Sequence, residues 1–366
     1  MIDRRLFTNF DWTLLVLVFL MAAVGVLNIY SATAPYKIVG APYYLKQVYW
    51  ILTGLLLAVL VCSIDYHMFE DFSYWFYGVV LILLCVVLVV GKTSMGATRW
   101  LHLGFVTIQP SEPMKIVIII TFARYFNRTP VFNGLRIRDL GYPLLLLGVP
   151  ALLIMKQPDL GTAILVALIA CSIMLYVGVN WGTLLTVTCA GIPVAFAGWH
   201  FALRPYQKNR ILNFLDPERD PLRSGYHLIQ SKIAVGSGGV IGKGFLHGTQ
   251  SQLRFLPEQH TDFAFSVFAE EWGFAGCLVV LALYLFLILW GLQIAARCND
   301  RFGSLLAVGV TAMLFWHIVI NMGMVIGIFP VVGVPLPFFS YGGTSMVTSM
   351  VGAGLLLNIR MRRFMF

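Results

Sequence analysis

Apolar segments long enough to cross a lipid bilayer recur along the chain, and this recurrence constrains its fold more than any other feature. A helix needs about 20 mostly apolar residues to span the hydrocarbon core. The candidate segments alternate with polar connections and cover residues 12–32, 45–64, 74–90, 114–126, 140–155, 162–178, 184–203, 272–294, 305–331 and 342–359. The repetition predicts a polytopic membrane protein.

Lipid leaves a backbone few ways to satisfy its hydrogen bonds. Only helices and closed barrels do so in a bilayer, and these segments lack the period-two alternation of barrel strands. Charged residues make up 11% of the chain, against about 25% in an average soluble domain. We therefore predict an all-α integral membrane protein with about ten transmembrane helices in a single membrane domain, residues 1–366. Helices 1–7 occupy 1–203, a long extracytoplasmic loop occupies 204–262, and helices 8–10 occupy 263–366.

The first segment also has features of a secretory signal peptide. Arg4 and Arg5 precede it, and Ala32, Thr33 and Ala34 resemble a cleavage site. Because the apolar run is longer than a usual signal core and nine further segments follow, a retained span is the favoured interpretation.

Basic residues indicate the orientation, because short cytoplasmic loops carry the excess of Lys and Arg. With ten spans, both termini lie on one side, and that side carries Arg4, Arg5, Arg124, Arg128, Arg136, Arg138, Arg297, Arg301, Arg360, Arg362 and Arg363. The short loops of the other side carry Lys37, Lys46, Lys92, Arg99 and Lys156. This predicts cytoplasmic termini. The net charge of +9 is explained by topology, and no nucleic-acid partner is expected.

Four polar segments fall on the predicted outer face, at residues 96–115, 156–162, 204–262 and 330–343. Glu112, Lys115, Asp159 and Asp262 lie in them where apolar helices begin, and charges at such depth usually face a cavity or a partner. Two structural interpretations stay open: the acids cap helix starts after proline, and Glu112 pairs with Lys115 on one helix face. Helix N-termini facing one cavity would also attract phosphate.

The polar segment 204–262 contains a run of glycines whose GxGGxxG spacing differs from that of nucleotide-binding loops. The glycines are Gly236, Gly238, Gly239, Gly242 and Gly244. Their pattern predicts a close approach of the backbone to membrane or ligand.

Five sequence motifs occur in an order that resembles the SEDS family, the bacterial shape, elongation, division and sporulation proteins. They are QPSE, KQPDLGT, YHLIQSKIAVGSGG, HGTQSQLRFLPEQHTDFAFSVFAEEWG and PLPFFSYGG. The GTQSQL stretch before FLPE favours the rod-shape-determining branch over the division branch. Pro113 and Ala264 depart from the family pattern without touching the expected chemistry.

The resemblance implies a peptidoglycan glycosyltransferase that polymerises lipid II, an undecaprenyl-pyrophosphate-linked disaccharide-pentapeptide, during bacterial cell elongation and rod-shape maintenance. It implies a multi-pass protein of the bacterial cytoplasmic (inner) membrane with an extracytoplasmic active site. The partners it implies are membrane lipids and a class B penicillin-binding protein transpeptidase. The resemblance also implies a divalent cation, Mg²⁺ or Mn²⁺, as cofactor. Carboxylates could bind it, because these ions prefer oxygen ligands.

Asp262 matches the essential aspartate of the family, and we predict that it is the general base of an inverting transfer. The predicted substrate-binding residues are Glu112, Lys115, Asp159, Arg210, His260, Ser340 and Gly342, with Gly343 in the same SYGG element. Lys115 and Arg210 would hold pyrophosphate. The metal-ligand candidates are Asp262, Glu112 and Asp159.

Two functions of other classes fit some of the same features. A lipid II flippase or transporter would also carry intramembrane charges, although no short, Gly- or Pro-broken spans recur in corresponding halves. A non-catalytic scaffold of the cell-wall synthesis complex would tolerate substitutions in the cavity.

Overall fold

The computed structural model describes residues 10–35, 40–94, 97–103, 106–131, 134–203, 205–217, 224–256 and 258–363. The long helices are α1 (Trp12–Thr33), α2 (Tyr43–Ser63), α3 (Tyr66–Val90), α4 (Ser111–Arg128), α5 (Gly141–Lys156), α6 (Leu160–Val177), α7 (Trp181–Ala197), α11 (Ala264–Ala296), α12 (Arg301–Ile326) and α13 (Gly343–Arg362). Between α7 and α11 lie α8 (Pro205–Leu215), α9 (Ser224–Ser237) and the single turn α10 (Thr249–Gln252). Arg4, Arg5 and Lys37, which entered the orientation argument, lie outside the described residues.

Each of the ten predicted spans corresponds to a helix, so the prediction of an all-α multi-pass membrane protein is confirmed. Among the described residues, eight helical segments are long and apolar enough to cross a membrane. Of the ten long helices, α4 and α13 fall below that threshold, and both are largely buried by their neighbours. A span surrounded by protein needs less apolar surface than one that faces lipid, so polar side chains are tolerated there.

Close helix packing explains how α13 is enclosed. At Gly354 of α13, a Cβ atom would lie 2.9 Å from the Cα of Ala58 in α2. Small residues at such contacts let two backbones approach closely in a membrane. The most buried apolar span is α12, which packs against α4, α6, α11 and α13.

The polar segment 204–262 is partly helical, a feature that its charge pattern did not predict. Its helix α9 packs against α11 and α12. There the buried Ser231 Oγ donates to the carbonyl oxygen of Val325 at 2.7 Å and lies 2.9 Å from Ser266 Oγ. The segment is therefore held against the two spans that follow it, α11 and α12.

Helix α11 is interrupted at Gly273, whose φ of 64° and ψ of −165° are not helical. The glycine-rich turn after α9 supplies hydrogen bonds at the break. The amides of Phe274 and Ala275 donate to the carbonyl oxygens of Gly239 and Val240 at 2.9 and 3.0 Å. Backbone groups freed at a break within a membrane protein must be satisfied by neighbouring protein. The glycines do make a close backbone approach, but to α11, so the prediction that they approach membrane or ligand is wrong.

The carboxylate of Glu270 also stabilises the contact between the glycine-rich turn and α11. The Glu270 carboxylate is fully buried in α11. Its Oε1 accepts from Lys243 Nζ at 2.7 Å, from the Gln250 amide at 3.0 Å and from Thr249 Oγ1 at 3.0 Å. One carboxylate thus holds the turn that precedes the FLPE motif.

We expect Gly242→Ala to destabilise the protein. Gly242 has a φ of +87°, and a Cβ there would lie 2.2 Å from the carbonyl oxygen of Glu271. Left-handed strain alone costs about 1–3 kcal/mol, and the clash adds to it. Thermal unfolding of detergent-purified protein measures the effect. The control is Gly236→Ala, where a Cβ meets nothing within 4 Å; equal unfolding temperatures for the two variants would contradict this account.

Candidate active site

A cavity of about 820 Å³ opens where the N-terminal ends of four helices meet. Its lining includes Glu112 of α4, the Asp159 N-cap of α6, Asp262 two residues before α11, and the first turn of α13. Helix N-termini carry partial positive charge from unpaired amides and the helix dipole. We call this the main cavity, and its construction favours an anionic ligand.

Lys115 is buried in the wall of the main cavity and is held by two partners. Its Nζ donates to Glu112 Oε1 at 2.8 Å and lies 2.9 Å from His317 Nε2. His317 Nδ1 lies 2.7 Å from the carbonyl oxygen of Met313, so Nδ1 carries the proton and Nε2 accepts from the ammonium. The predicted Glu112–Lys115 pair is confirmed, and the neutral histidine completes it.

Asp159 confirms the capping interpretation and also faces the main cavity. Its Oδ1 accepts from the Thr162 amide at 3.3 Å, and its Oδ2 accepts from Thr162 Oγ1 at 2.9 Å and from Gln109 Nε2 at 3.0 Å. Arg99 Nη1 lies 3.8 Å from Asp159 Oδ1, and its Nη2 donates to the carbonyl oxygen of Pro158. This carboxylate therefore serves mainly to organise the wall.

A three-stranded antiparallel sheet carries Arg99 to this position. The strands are β1 (Lys92–Ser94), β2 (Ala97–Leu103) and β3 (Val106–Ile108), with β2 in the centre. Arg99 lies on β2 and Gln109 directly follows β3. Two short hairpins between α3 and α4 thus place the Arg99 guanidinium and the Gln109 side-chain amide next to the Asp159 carboxylate.

Asp262 lies in the loop before α11, and its backbone is fixed by α12. The Asn321 side chain donates to the carbonyl oxygens of Asp262 and Val334, at 3.0 and 2.7 Å. Gly333 lies beside the carboxylate, since a Cβ there would be 3.3 Å from Asp262 Oδ2. Burial, reinforced by the negative charge of Glu258, raises the pKa of Asp262 to about 6, against the opposing influence of Arg210 and Arg99.

A smaller cavity of about 210 Å³ reaches Asp262 from another direction. It is lined by Arg210 and Asn213 of α8, by His227 of α9, and by Glu258. Of the described residues, Asp262 alone lines both cavities. Arg210 lines the small cavity and donates to the carbonyl oxygen of Val331 at 3.2 Å. It therefore faces a different cavity from the one that Lys115 lines.

Two residues predicted to bind substrate lie behind the wall of the main cavity. Ser340 is buried and its Oγ accepts from the Leu336 amide at 3.1 Å. The His260 ring packs 4.5 Å from the ring of Tyr43, its carbonyl oxygen accepts from the Tyr341 amide at 2.9 Å, and burial lowers its pKa. Gly342 and Gly343 line the cavity itself. Direct substrate binding by Ser340 and His260 stays a prediction.

Sequence reasoning missed several residues of the site. His317 and Asn321 belong to an apolar span, Arg99 lies in a strand, and Glu258 lies beside the chosen Asp262. The FLPE motif contained the only local signal among them, an acid four residues before Asp262. The other contacts join residues far apart in sequence.

The carboxylates predicted as metal ligands do not form a protein-only metal site. Among the described residues, no group of three His, Cys, Asp or Glu side chains could hold a metal ion. Glu112 lines the main cavity, and its buried Oε2 has no hydrogen-bond partner among the described residues. Because Mg²⁺ is often held by one or two carboxylates together with substrate phosphates, the residues fit an ion shared with a substrate.

Comparison with known proteins gives consistent matches along the chain. A family model described as cell cycle protein, for FtsW, RodA and SpoVE, matches residues 11–364. The peptidoglycan glycosyltransferase MrdB of Escherichia coli (strain K12) is 46% identical over 323 residues, which are 87% of this chain and 86% of that protein. 

Solved structures show the same fold. A chain from "Structural coordination of polymerization and crosslinking by a peptidoglycan synthase complex" matches with a TM-score of 0.83 and 36% identity, covering 98% of this chain and 99% of that one. The rod shape determining protein RodA of Thermus thermophilus matches with a TM-score of 0.72 and 29% identity, covering 97% and 98%.

We expect the Asp262 carboxyl to titrate near pH 6, because burial and the negative charge of Glu258 raise its pKa to about 6. Infrared difference spectra of the protonated carboxyl measure this, with Asp262→Asn to assign the band. Glu258→Gln removes a negative charge and should lower the midpoint, whereas Arg210→Gln removes a positive charge and should raise it. The exposed Asp216→Asn is the control without a shift. A midpoint near the ordinary value of about 4 in the unsubstituted protein would refute the assignment.

Proposed function

The chain belongs to the FtsW, RodA and SpoVE family of cell cycle proteins, and from that premise we propose that it is a peptidoglycan glycosyltransferase. Its relatives named for this activity include the MrdB protein at 46% identity. We propose polymerisation of lipid II into glycan strands during cell elongation. The observation that carries the proposal is the partly buried Asp262 carboxylate, with its raised pKa, in the lining of a cavity built to hold an anion.

Asp262 acts as the general base in this proposal. The 4-hydroxyl of an acceptor sugar attacks the anomeric carbon of the donor, a carbon–oxygen bond forms with inversion, and the bond to the lipid pyrophosphate breaks. The hydroxyl proton passes to the Asp262 carboxylate, and the pyrophosphate leaves with the bonding electron pair. A base with a pKa of about 6 is mostly ionised at neutral pH and accepts a proton better than an ordinary aspartate.

Positive charge around the main cavity would stabilise the leaving pyrophosphate. Arg99, Lys115 and the N-terminal ends of α4, α6 and α13 line this space. Such groups act most strongly on charge that develops during the reaction in a water-poor site. Lys115 is held in place by Glu112 and His317, so it would offer fixed charge without reorganisation.

A divalent cation is proposed as cofactor, and carboxylates of the main cavity would hold it. The residues proposed to hold it are Asp262 and Glu112, whose Oε2 has no hydrogen-bond partner among the described residues. Asp159 is a weaker candidate because its two oxygens already accept from Thr162 and Gln109. When bound, the ion would neutralise charge on the leaving group.

We further propose that the protein lies in the bacterial cytoplasmic membrane with both termini inside and the main cavity outside. The excess of arginine on one side of the predicted topology supports this orientation. The similar chain in a peptidoglycan synthase complex that coordinates polymerization and crosslinking supports a crosslinking partner. A class B penicillin-binding protein is the partner that we propose.

Asp262→Asn should abolish polymerisation, because the amide cannot accept the hydroxyl proton. Loss of general-base catalysis costs about 10²–10⁴-fold in rate, measured with purified protein and lipid II in the presence of Mn²⁺ or Mg²⁺. The control is Asp216→Asn, the same chemical change at an exposed position, which should retain activity. If Asp262→Asn polymerised lipid II at the wild-type rate, Asp262 would not be the general base. Translocation of lipid II without polymer formation would favour a flippase.

Lys115→Ala should impair use of the lipid-pyrophosphate donor more than Lys115→Arg does. Alanine removes the buried cation and leaves Glu112 and His317 without their shared donor, whereas arginine keeps a positive charge and N–H donors. Initial rates at varied lipid II concentration separate effects on KM from effects on kcat. Near-normal, equal activity in both variants would exclude charge stabilisation by Lys115.

A further inference from the structure

A second polar site lies at the opposite end of α4 from the main cavity. A pocket of about 400 Å³ is lined by Tyr74, Arg124, Tyr125, Arg128, Thr129 and Tyr142, and we call it the arginine–tyrosine pocket. With a rise of about 1.5 Å per residue, Arg128 lies about 24 Å along α4 from Glu112. The pocket is therefore near the other membrane surface from the main cavity and has no part in its chemistry.

Arg124 is fixed in this pocket by contacts that do not neutralise its charge. Its Nη1 donates to the carbonyl oxygens of Glu70 and Asp71 at 2.8 and 2.7 Å, and its guanidinium carbon lies 4.5 Å from the centre of the Tyr74 ring. Its Nε is buried and has no hydrogen-bond partner within the described part of the chain. A buried donor without a partner is costly, which indicates a missing acceptor.

Arg128 adds a second guanidinium at the mouth of the pocket. Its Nε lies 3.2 Å from Glu70 Oε1 and its Nη2 lies 3.4 Å from Asp71 Oδ1. The side chain is still 55% exposed, so an incoming anion can reach it. The Glu70 and Asp71 carboxylates, near the start of α3, reduce the positive potential of the pocket. They also orient the Arg128 side chain toward it.

The surroundings of the pocket match the interface between headgroups and acyl chains. Three tyrosines line it, and Tyr and Trp are enriched at this depth of a bilayer. Trp75 and Leu145, which neighbour pocket residues on α3 and α5, are 74% and 60% exposed. They offer an apolar surface for hydrocarbon on the two helices that carry the pocket residues Tyr74 and Tyr142.

An adjacent pocket continues the polar surface. It has a volume of about 290 Å³, shares Tyr125 and Thr129 with the first, and includes Arg136 and Asp139. Basic pockets between transmembrane helices are typical sites for anionic lipid headgroups. We propose that the arginine–tyrosine pocket binds the phosphate of an anionic membrane phospholipid, with its acyl chains along the exposed faces of α3 and α5.

Native mass spectrometry of the full chain, released from mixed phosphatidylglycerol and phosphatidylcholine, tests the proposal by counting retained lipids. Wild type should retain phosphatidylglycerol preferentially, and Arg128→Gln should reduce that preference about fivefold, the loss of one basic contact near a membrane surface. Tyr142→Phe, which keeps the ring and removes one hydroxyl, should reduce the preference for phosphatidylglycerol less. This milder variant still tests the pocket if Arg128→Gln misfolds. The control Arg138→Gln removes an exposed arginine of the same connection that lines neither pocket and should change nothing.

Three results would overturn the proposal. No preference for phosphatidylglycerol in wild type would exclude the site. An equal loss in Arg128→Gln and Arg138→Gln would indicate general surface charge in place of a pocket. Displacement of the bound lipid by millimolar inorganic phosphate alone would identify a site for free phosphate, whereas retention under that challenge supports the lipid.

Discussion

A charge that lies among apolar helices must find its partners within the protein, and this requirement organises the centre of the molecule. Lys115 is held between Glu112 and the neutral His317, and Asp159 is held by Thr162, Gln109 and Arg99. Removing one partner from a buried pair typically costs more than the pair contributes. Each charged group therefore depends on its partners for stability. Together these groups line a polar cavity inside a bundle that faces lipid.

The same requirement applies to the backbone. The break in α11 at Gly273 would leave amides without partners, and the glycine-rich turn supplies carbonyl oxygens to them. The helix segment between Asp262 and the break is short, and it is held from the other side by Asn321 at the Asp262 carbonyl. Backbone repair at one end and a side-chain amide at the other thus fix the position of the proposed base.

Asp262 differs from the other carboxylates of the site in its environment. Asp159 accepts three hydrogen bonds and lies near Arg99, and Glu112 pairs with Lys115. The Asp262 carboxylate instead has burial and the negative Glu258 as the main influences on its pKa. A carboxylate that is partly buried, little compensated and open to two cavities is the one suited to take up a proton.

The sequence by itself determined the membrane class and the ten spans, because length and hydropathy are local properties. It did not fix every helix start, since α3 and α11 each begin eight residues before the predicted span. It also determined the Glu112–Lys115 contact, which joins residues three positions apart. Only the tertiary structure decided that His317 accepts from Lys115, that Asn321 holds Asp262, and that Arg210 and Lys115 line different cavities. The Lys115–His317 contact joins residues 202 positions apart and the Asn321–Asp262 contact joins residues 59 positions apart, and no local pattern specifies such a pairing. Tertiary packing specifies it, as at Gly333 in the loop after α12, where the missing side chain leaves room for the Asp262 carboxylate.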